Sequence, residues 1–558
     1  MIQNPLSLIE EQLRKIITDA VNSAMENGKL PKGDIPEFAV EIPKTAEHGD
    51  LSANIAMVGA RAFRMAPPKI AAAITEEISL ENSYFSKCEI AGPGFMNFFL
   101  GKEFAAMTVK AVLDNKENYG RTDYGKNKRV LVEFVSANPT GPMHIGNARG
   151  GALGDCLAAS LDWAGYDVNR EFYVNDAGNQ IEKFKTSLEV RYLQIFDPSI
   201  EMPEDAYLGQ DIIDHAKNFE AIHGDKYVNA DREERRQALC DFALPKNIAK
   251  LKTDLEKYRI NYDKWFHESS LHNDGSVKEI IEKMKASGYT YEKDGALWFK
   301  ATELGDEKDR VLVRDNGIPT YFVPDIAYHY NKLVTRGYDK AIDILGADHH
   351  GYIARMKAAL TALGIDSDRL DIIIMQMVRL IKDGETYKLS KRSGKAITLE
   401  TLLEEVPIDA ARLFFNLREP NSHLEFDLDL AISENSQNPV YYVQYAHARI
   451  CSILKVMEDT DIADADLTVL TEPSEKALIF KLAGMPSQII SAAKEYDPSV
   501  ITRYLIDLAT LFHRFYTECR VKDAPDDIRK ARVALLYATK QAICNGCVIL
   551  GITAPEYM

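Results

Sequence analysis

Residues 136–155 read SANPTGPMHIGNARGGALGD, a Pro/Gly turn running into a stretch of small residues. Upstream, from Arg129, stands RVLVEFVS, a continuous apolar run of the kind buried in a parallel sheet. Downstream, helical spacing holds from Asn147 through Trp163, and REFYVND (170–176) reads as a second strand. Strand, tight turn, helix and strand make a βαβ unit, with the turn where an open α/β sheet binds nucleotides. Pro139, Gly141 and Pro142 force the chain round, and Gly146 lets backbone approach a ligand closely. His144 and Asn147 bring donors to the helix start, beside its unpaired N–H groups and positive dipole end. That combination suits phosphate oxygens. Alone, a Gly/Pro loop with a capping Asn would carry the same letters, so the pattern needs support from elsewhere in the chain.

Working outward, strand patterning resumes at YDKAIDILGAD (338–348) and RLDIIIMQMVRLI (369–381). Between lie charged helices and a hairpin-like TYEKDGALWFK, read as an insertion of about 177–310 in a doubly wound sheet. The polar stretch at 115–128 separates this part from an N-terminal unit of helix, strand, helices and strand. From Ile408 onward helical periodicity takes over. The expected division is an N-terminal α/β domain (1–117), a Rossmann-type parallel sheet with its insertion (118–408) and an all-α C-terminal domain (409–558).

A second segment, KDGETYKLSKRSGKAITLE (382–400), carries Lys388, Lys391, Arg392 and Lys395 between Gly384 and Gly394. Alone it reads as a solvated charged loop. In this order, and separated by an insertion, His144-Ile-Gly-Asn147 and Lys388-Leu-Ser390-Lys391-Arg392 resemble the HIGH and KMSKS signatures of class I aminoacyl-tRNA synthetases. Asn147 departs from the consensus His, and Leu389 and Arg392 from Met and Ser. VEFVSANPTGPMHIGNARG, YVNDAGNQI, GIPTYFVPDIAYHYNK, GADHHGY, DAARLFF and LGITAPEYM together resemble the arginyl-tRNA synthetase family of bacterial type, nearly end to end.

The resemblance implies ATP-dependent joining of arginine to its tRNA through an adenylate, with ATP and Mg²⁺ as cofactors and no dedicated metal site in the chain. His144, Asn147, Lys388 and Lys391 would be catalytic. Pro139, Gly141, Pro142, Gly146, Asp348, His349 and Ser390 would join His144 and Asn147 around ATP. Glu133, Ser136 and Asn138 would hold the amino-acid end of arginine, with Tyr321 and Asp325 facing a planar, permanently charged guanidinium. His48 and Asn54 in the N-terminal unit, and Tyr442, Tyr445, Arg449 and Met558 at the C-terminal end, would meet tRNA. Exposed tyrosines beside an arginine make a stacking platform for bases.

Composition bounds the rest. Of 558 residues, 46% are hydrophobic and 27% charged, which excludes a disordered or collagen-like chain. Seven scattered cysteines are no disulfide framework, the N-terminus lacks signal-peptide order, and no apolar run reaches the length of a bilayer span. The expectation is a reduced, cytoplasmic monomer without membrane or DNA partners. A net charge of −17 argues against indiscriminate attraction to nucleic acid. Positive charge is therefore expected locally, around Lys388–Lys395 and along the tRNA path. A cysteinyl-type synthetase would want a Cys/His zinc set, a small nucleotidylyltransferase would not need the helical C-terminal part, and a non-catalytic tRNA-binding relative would have lost the lysine loop.

Overall fold

The computed structural model describes residues 4–387 and 397–558. Its centre is a five-stranded, all-parallel sheet. Strand Arg129–Glu133 is flanked on one side by Asp167–Val174 and then Lys264–His267, and on the other by Lys340–Gly346 and then Leu370–Met375. The chain leaves Arg129–Glu133 toward one edge and returns on its other side. A crevice therefore opens at the C-terminal ends of Arg129–Glu133 and Lys340–Gly346, the switch point of the sheet. Val130, Leu131 and Val132 are at most 1% exposed, as an apolar run inside a parallel sheet demands. Helix Ile145–Trp163 lies against this strand so closely that a Cβ on Gly154 would stand 2.1 Å from Phe134 Cγ.

The architecture is a Rossmann-type sheet between a small N-terminal α/β unit and a C-terminal helical part, as expected. The N-terminal unit packs helix Pro5–Glu26 with a four-stranded antiparallel sheet in which Phe95–Leu100 pairs with both Leu51–Ala53 and Phe85–Ala91. The C-terminal part consists chiefly of helices Pro439–Val456, Pro473–Ala483, Met485–Glu495, Ser499–Glu518 and Asp526–Leu550.

Three local expectations change. The stretch taken as one insertion is interrupted by Lys264–His267, which pairs in parallel with Glu171–Val174 as the edge strand of the central sheet. Four residues, KWFH, are too short to give a periodic signal. The run 369–381 is two strands in two sheets: Leu370–Met375 ends at Gln376, and Val378–Lys382 pairs with Leu424–Asp427 and Glu385–Thr386. The break occurs where the Gln376 N–H turns to the Pro420 carbonyl and Met377 stands 73% exposed. Finally, Asp526–Leu550 does reach the length and apolarity of a bilayer span, but 72% of that window is buried inside the protein. All seven cysteines are free thiols.

Arg412, on helix Ile408–Phe415, ties these parts together. It is fully buried, pairs with Asp155 at 2.5 Å, and donates to the carbonyls of Leu550 (2.9 Å) and Tyr258 (3.1 Å). Asp155 sits on helix Ile145–Trp163, Leu550 closes the C-terminal helix, and Tyr258 follows the long helix Arg232–Lys257. Removing Arg412 breaks the buried pair and both carbonyl bonds. Arg412→Met is expected to cost about 3–5 kcal/mol. Urea unfolding of the full chain should show a clearly lower midpoint, while Asp155, which keeps Arg170 at 3.4 Å, remains paired.

Candidate active site

At the switch point the chain leaves strand Arg129–Glu133 under strain. Val135 (φ 68°) and Ser136 (φ 39°) both take positive φ, which a β-branched residue rarely does. The distortion turns Ser136 back on its own strand. Its hydroxyl donates to Glu133 Oε1 at 2.8 Å and accepts the Tyr173 N–H at 3.1 Å.

The turn that follows ends in a reciprocal cap. His144 is the N-cap of helix Ile145–Trp163, and its Nδ1 accepts the Gly146 N–H at 3.2 Å. Asn147 Oδ1 in return accepts the His144 N–H at 3.0 Å. Two consequences follow. With Nδ1 an acceptor, the imidazole proton belongs on Nε2, and desolvation holds the ring below the ordinary histidine pKa. With Oδ1 occupied, Asn147 retains its amide N–H groups, which donate to none of the described residues. Both side chains thus spend one face on the helix and keep a donor for a ligand.

A cavity of about 760 Å³ opens here. Of the residues expected around the nucleotide, Gly141, Pro142, His144, Gly146, Asn147 and Asp348 line it. Of those expected around the amino acid, Glu133, Ser136, Asn138 and Asp325 do. Pro139 does not. Its carbonyl accepts from Asn247 Nδ2 at 2.9 Å, and Asn247 Oδ1 lies 2.7 Å from His215 Nε2, so two helices of the intervening segment clamp the turn. Tyr321 does not join the lining either. It is 68% exposed, and its hydroxyl accepts from Arg355 Nη1 at 2.9 Å. Tyr321 is the N-cap of helix Phe322–Tyr330 with helical backbone angles, and the Asp325 N–H reaches its carbonyl at 3.4 Å, so the two stand one turn apart while the Tyr321 hydroxyl is turned to Arg355. The backbone of His349 ends the 3₁₀ turn Ala347–His349, while its side chain lies outside the described residues. Lys388, Ser390, Lys391 and Arg392 also lie outside them. The segment carrying these four leaves by Glu385–Thr386 and returns at Thr398, which bridges His144, while the Leu399 N–H donates to the Met143 carbonyl at 2.9 Å.

Several wall residues were missed. Tyr328 and His329 lie three and four positions beyond Asp325 on one helix and line the cavity with it, a spacing legible in the sequence. Asp343 and Tyr173, on the two strands that flank Arg129–Glu133, carried no signal beyond strand alternation. Asp325 is pushed up to about 8, by burial and then by the charges of Glu268 and Glu133, against the smaller opposing pull of Arg355 and Lys332. Glu268, itself raised by burial, is 8% exposed and accepts from the Asn175 amide at 2.7 Å once that amide is oriented to satisfy its neighbours. The wall therefore holds a carboxyl pushed well above the ordinary carboxylate range. Among the described residues no group of three His, Cys, Asp or Glu side chains could hold a metal ion.

The residues expected at tRNA stand elsewhere. His48 is exposed in the turn Ala46–His48, and Asn54 Oδ1 is spent on the Ala39 N–H at 2.8 Å. On the helical part, Tyr442 and Tyr445 flank the His513 ring at 4.9 and 5.8 Å, and Tyr441 lies nearly parallel to Tyr445 at 6.2 Å. Arg449 stands 4.8 Å over the Tyr516 ring and donates to its hydroxyl. Tyr557 and Met558 are exposed.

Comparison with known proteins gives three adjoining family matches. Residues 11–100 match the arginyl tRNA synthetase N terminal domain, 108–434 the class I (R) tRNA synthetase catalytic domain, and 443–558 the DALR anticodon binding domain. The chain is 54% identical to the arginine–tRNA ligase of Caldanaerobacter subterraneus subsp. tengcongensis and 51% identical to that of Acetivibrio thermocellus, each pairing covering all of both chains. The Thermus thermophilus arginyl-tRNA synthetase structure covers 98% of this chain and 100% of its own, with a TM-score of 0.74 at 22% identity, a likeness of fold.

The raised Asp325 has a measurable signature. An unfolded Asp ionises near 3.8 and the folded one near 8. Between those values only the unfolded state has lost the proton, so stability falls as pH rises, and above 8 the loss stops growing. Asp325→Asn removes that dependence. Its stability relative to wild type should increase from pH 5 to pH 8 and then level, by paired urea titrations.

Proposed function

The chain belongs to the arginyl-tRNA synthetase family, and from that premise we propose how its own residues divide the work. It ligates arginine to tRNA at the expense of ATP, by way of arginyl-adenylate. In the first step the arginine carboxylate attacks the α-phosphorus of ATP and pyrophosphate leaves. In the second a terminal ribose hydroxyl of the tRNA attacks the activated carbonyl and AMP leaves. The attacking carboxylate is already ionised, so the first step needs no general base. It needs positioning, and positive charge or N–H donors where negative charge gathers.

We assign the phosphate role to His144 Nε2–H and the Asn147 amide at the helix N-terminus, with Gly141, Pro142 and Gly146 allowing close approach. Asp348 and His349 are placed at the nucleoside. Lys388 and Lys391, with Ser390, supply positive charge to the departing pyrophosphate. In support, the chain beyond them bridges His144 at Thr398. Mg²⁺ accompanies ATP through the phosphates themselves, as a countercharge when bound. Glu133, Ser136 and Asn138 take the amino-acid end of arginine, and Asp325 takes the guanidinium. The observation that carries this reading is the cavity holding Asp325 and His144 in one wall system, wide enough for both substrates.

The Tyr441–Tyr445–His513 group and the exposed Met558 are read as the surface that meets tRNA bases, and His48 as a contact of the N-terminal unit. Asn54 is reserved for holding that unit's backbone. We place the enzyme in the cytoplasm, acting as a monomer without membrane or DNA partners, with domains near 1–117, 118–408 and 409–558.

Charging of arginine tRNA with labelled arginine and ATP is the primary test; equal charging with lysine or glutamine would overturn the pocket. Asp325 must shed its proton to pair with guanidinium. The arginine KM should therefore fall by about tenfold per pH unit from pH 6 toward 8 and flatten above. Asp325→Asn should abolish that slope. On the phosphate side, Asn147→Asp keeps the capping oxygen but turns a carboxylate toward the phosphates. It should raise the ATP KM about tenfold or more while the fold is retained, and Lys391→Ala should slow adenylate formation about 100-fold. Stopped-flow or quench measurements of adenylate formation separate the two effects.

A further inference from the structure

Lys332, with Asp343 beside it, takes no part in the chemistry just described. Glu133 and Asp343 are register partners on the adjacent parallel strands Arg129–Glu133 and Lys340–Gly346, and both line the cavity. Neighbouring strands lie about 4.8 Å apart, a short separation for two carboxylates largely out of water. Between them stands the ammonium of Lys332, its side chain wholly buried. Nζ donates to Glu133 Oε2 at 2.5 Å and to Asp343 Oδ1 at 2.7 Å. Nζ also lies 4.1 Å from the centre of the Tyr328 ring. Lys332 belongs to a π-helical turn, Asn331–Thr335, that follows directly on helix Phe322–Tyr330. Such turns are rare and concentrate at functional sites.

The other oxygens of the pair are occupied too. Glu133 Oε1 accepts from the Ser136 hydroxyl at 2.8 Å, and Asp343 Oδ2 lies 2.7 Å from His329 Nε2. Burial works to strip the proton from Lys332, and the charges of Asp343, Glu133 and Glu171 hold it on. The His329 ring gives Asp343 a second partner, its Nδ1 facing the Asp325 carbonyl at 2.8 Å. Asp343 is thus met by both Lys332 and His329, while Glu133 has the ammonium and the Ser136 hydroxyl; without Lys332 the two adjacent carboxylates would repel each other and take up protons instead.

We propose that Lys332 is a positioning residue for the amino-acid substrate: it locks the Glu133 carboxylate and relieves its repulsion with Asp343, so that Glu133 stays an anion aimed at the arginine α-ammonium. The inference rests on the reading of Glu133 as the partner of that ammonium. It goes beyond that reading by making recognition depend on a residue that does not touch the substrate.

The test measures arginine and ATP KM separately during aminoacylation by the full-length chain. Lys332→Met should raise the arginine KM about tenfold or more and leave the ATP KM within about twofold. Adding Asp343→Asn, which removes the surplus carboxylate, should recover at least about fivefold of that loss. Glu133→Gln serves as the reference. If it raises the arginine KM but Lys332→Met moves both KM values together, or the double variant recovers nothing, Lys332 is a structural ion pair and the proposal falls. If Glu133→Gln leaves the arginine KM unchanged, the reading of Glu133 falls and takes the proposal with it. Should Lys332→Met fail to fold, Asp343→Asn alone decides. It leaves Lys332 balanced by Glu133, so the arginine KM should rise about fivefold or more, and an unchanged value overturns the proposal.

Discussion

Two buried arginine side chains fix helix Ile145–Trp163, and the rest of the molecule is arranged around that grip. Arg149, in the helix's second turn, has no carboxylate partner among the described residues. It donates to the carbonyls of Gln376 (2.6 Å), Glu419 (3.1 Å) and Ser422 (2.9 Å), and burial pulls it down to about 10, still a cation at neutral pH. Arg412 reaches the same helix at Asp155, and there the carboxylate outweighs burial and keeps the guanidinium charged. Only a planar fork of five donors can bond several carbonyls and a carboxylate at once. The first arginine sets the helix against the strand ends that wall the cavity. The second sets it against the C-terminal helix. The N-terminus bearing His144 and Asn147 therefore inherits its position from contacts with both halves of the chain.

That fixed frame lets the cavity separate two aspartates of identical chemistry. Asp343 is deeply buried, which would raise it, but the Lys332 ammonium and then the His329 ring hold it down to about 2. Asp325 sits on the helix that ends just before Lys332, and burial with the charges of Glu268 and Glu133 lifts it to about 8. A pair driven apart in this way divides labour. Asp343 is a permanent anion serving the structure of the floor. On the proposed assignment of Asp325 to the guanidinium, the raised carboxyl exchanges its proton for the bound cation, and a neutral side chain of similar size would leave it protonated and gain nothing.

The frame was more legible in the sequence than the wall. The apolar run after Arg129, the Pro/Gly turn and the helix beyond it announced the βαβ unit because a buried parallel strand and a tight turn each constrain composition strongly. Lys264–His267 left no trace, since an edge strand of four residues has room for barely two alternations. Asp325 lines the cavity and Tyr321 does not, although the spacing of four does set them one helical turn apart: the Tyr321 hydroxyl is drawn to Arg355, which no local pattern announces. His329 continues that face and could have been read from the same spacing. Lys332 could not, because a π-helical turn shifts the register that such counting assumes. Glu133 with Asp343 could not be paired either, as parallel register between strands some 210 residues apart is set by the sheet and not by any local pattern.

The replacement of the usual final His of the first signature by Asn147 becomes intelligible from the cap. A residue at that position has two tasks: to close the helix start by accepting the His144 N–H, and to offer a donor outward. An imidazole does both only in one tautomer, accepting on one nitrogen and donating from the other. A primary amide does both in every state, since its oxygen accepts while its nitrogen keeps two hydrogens, and neither changes with pH. In this chain the oxygen is already committed at 3.0 Å. The amide nitrogen must then face the cavity that Asn147 lines. Loss of the imidazole removes a possible positive charge, and the helix dipole beneath it remains. An amide therefore preserves the cap and the donor count at this corner of the site, and does so at every pH.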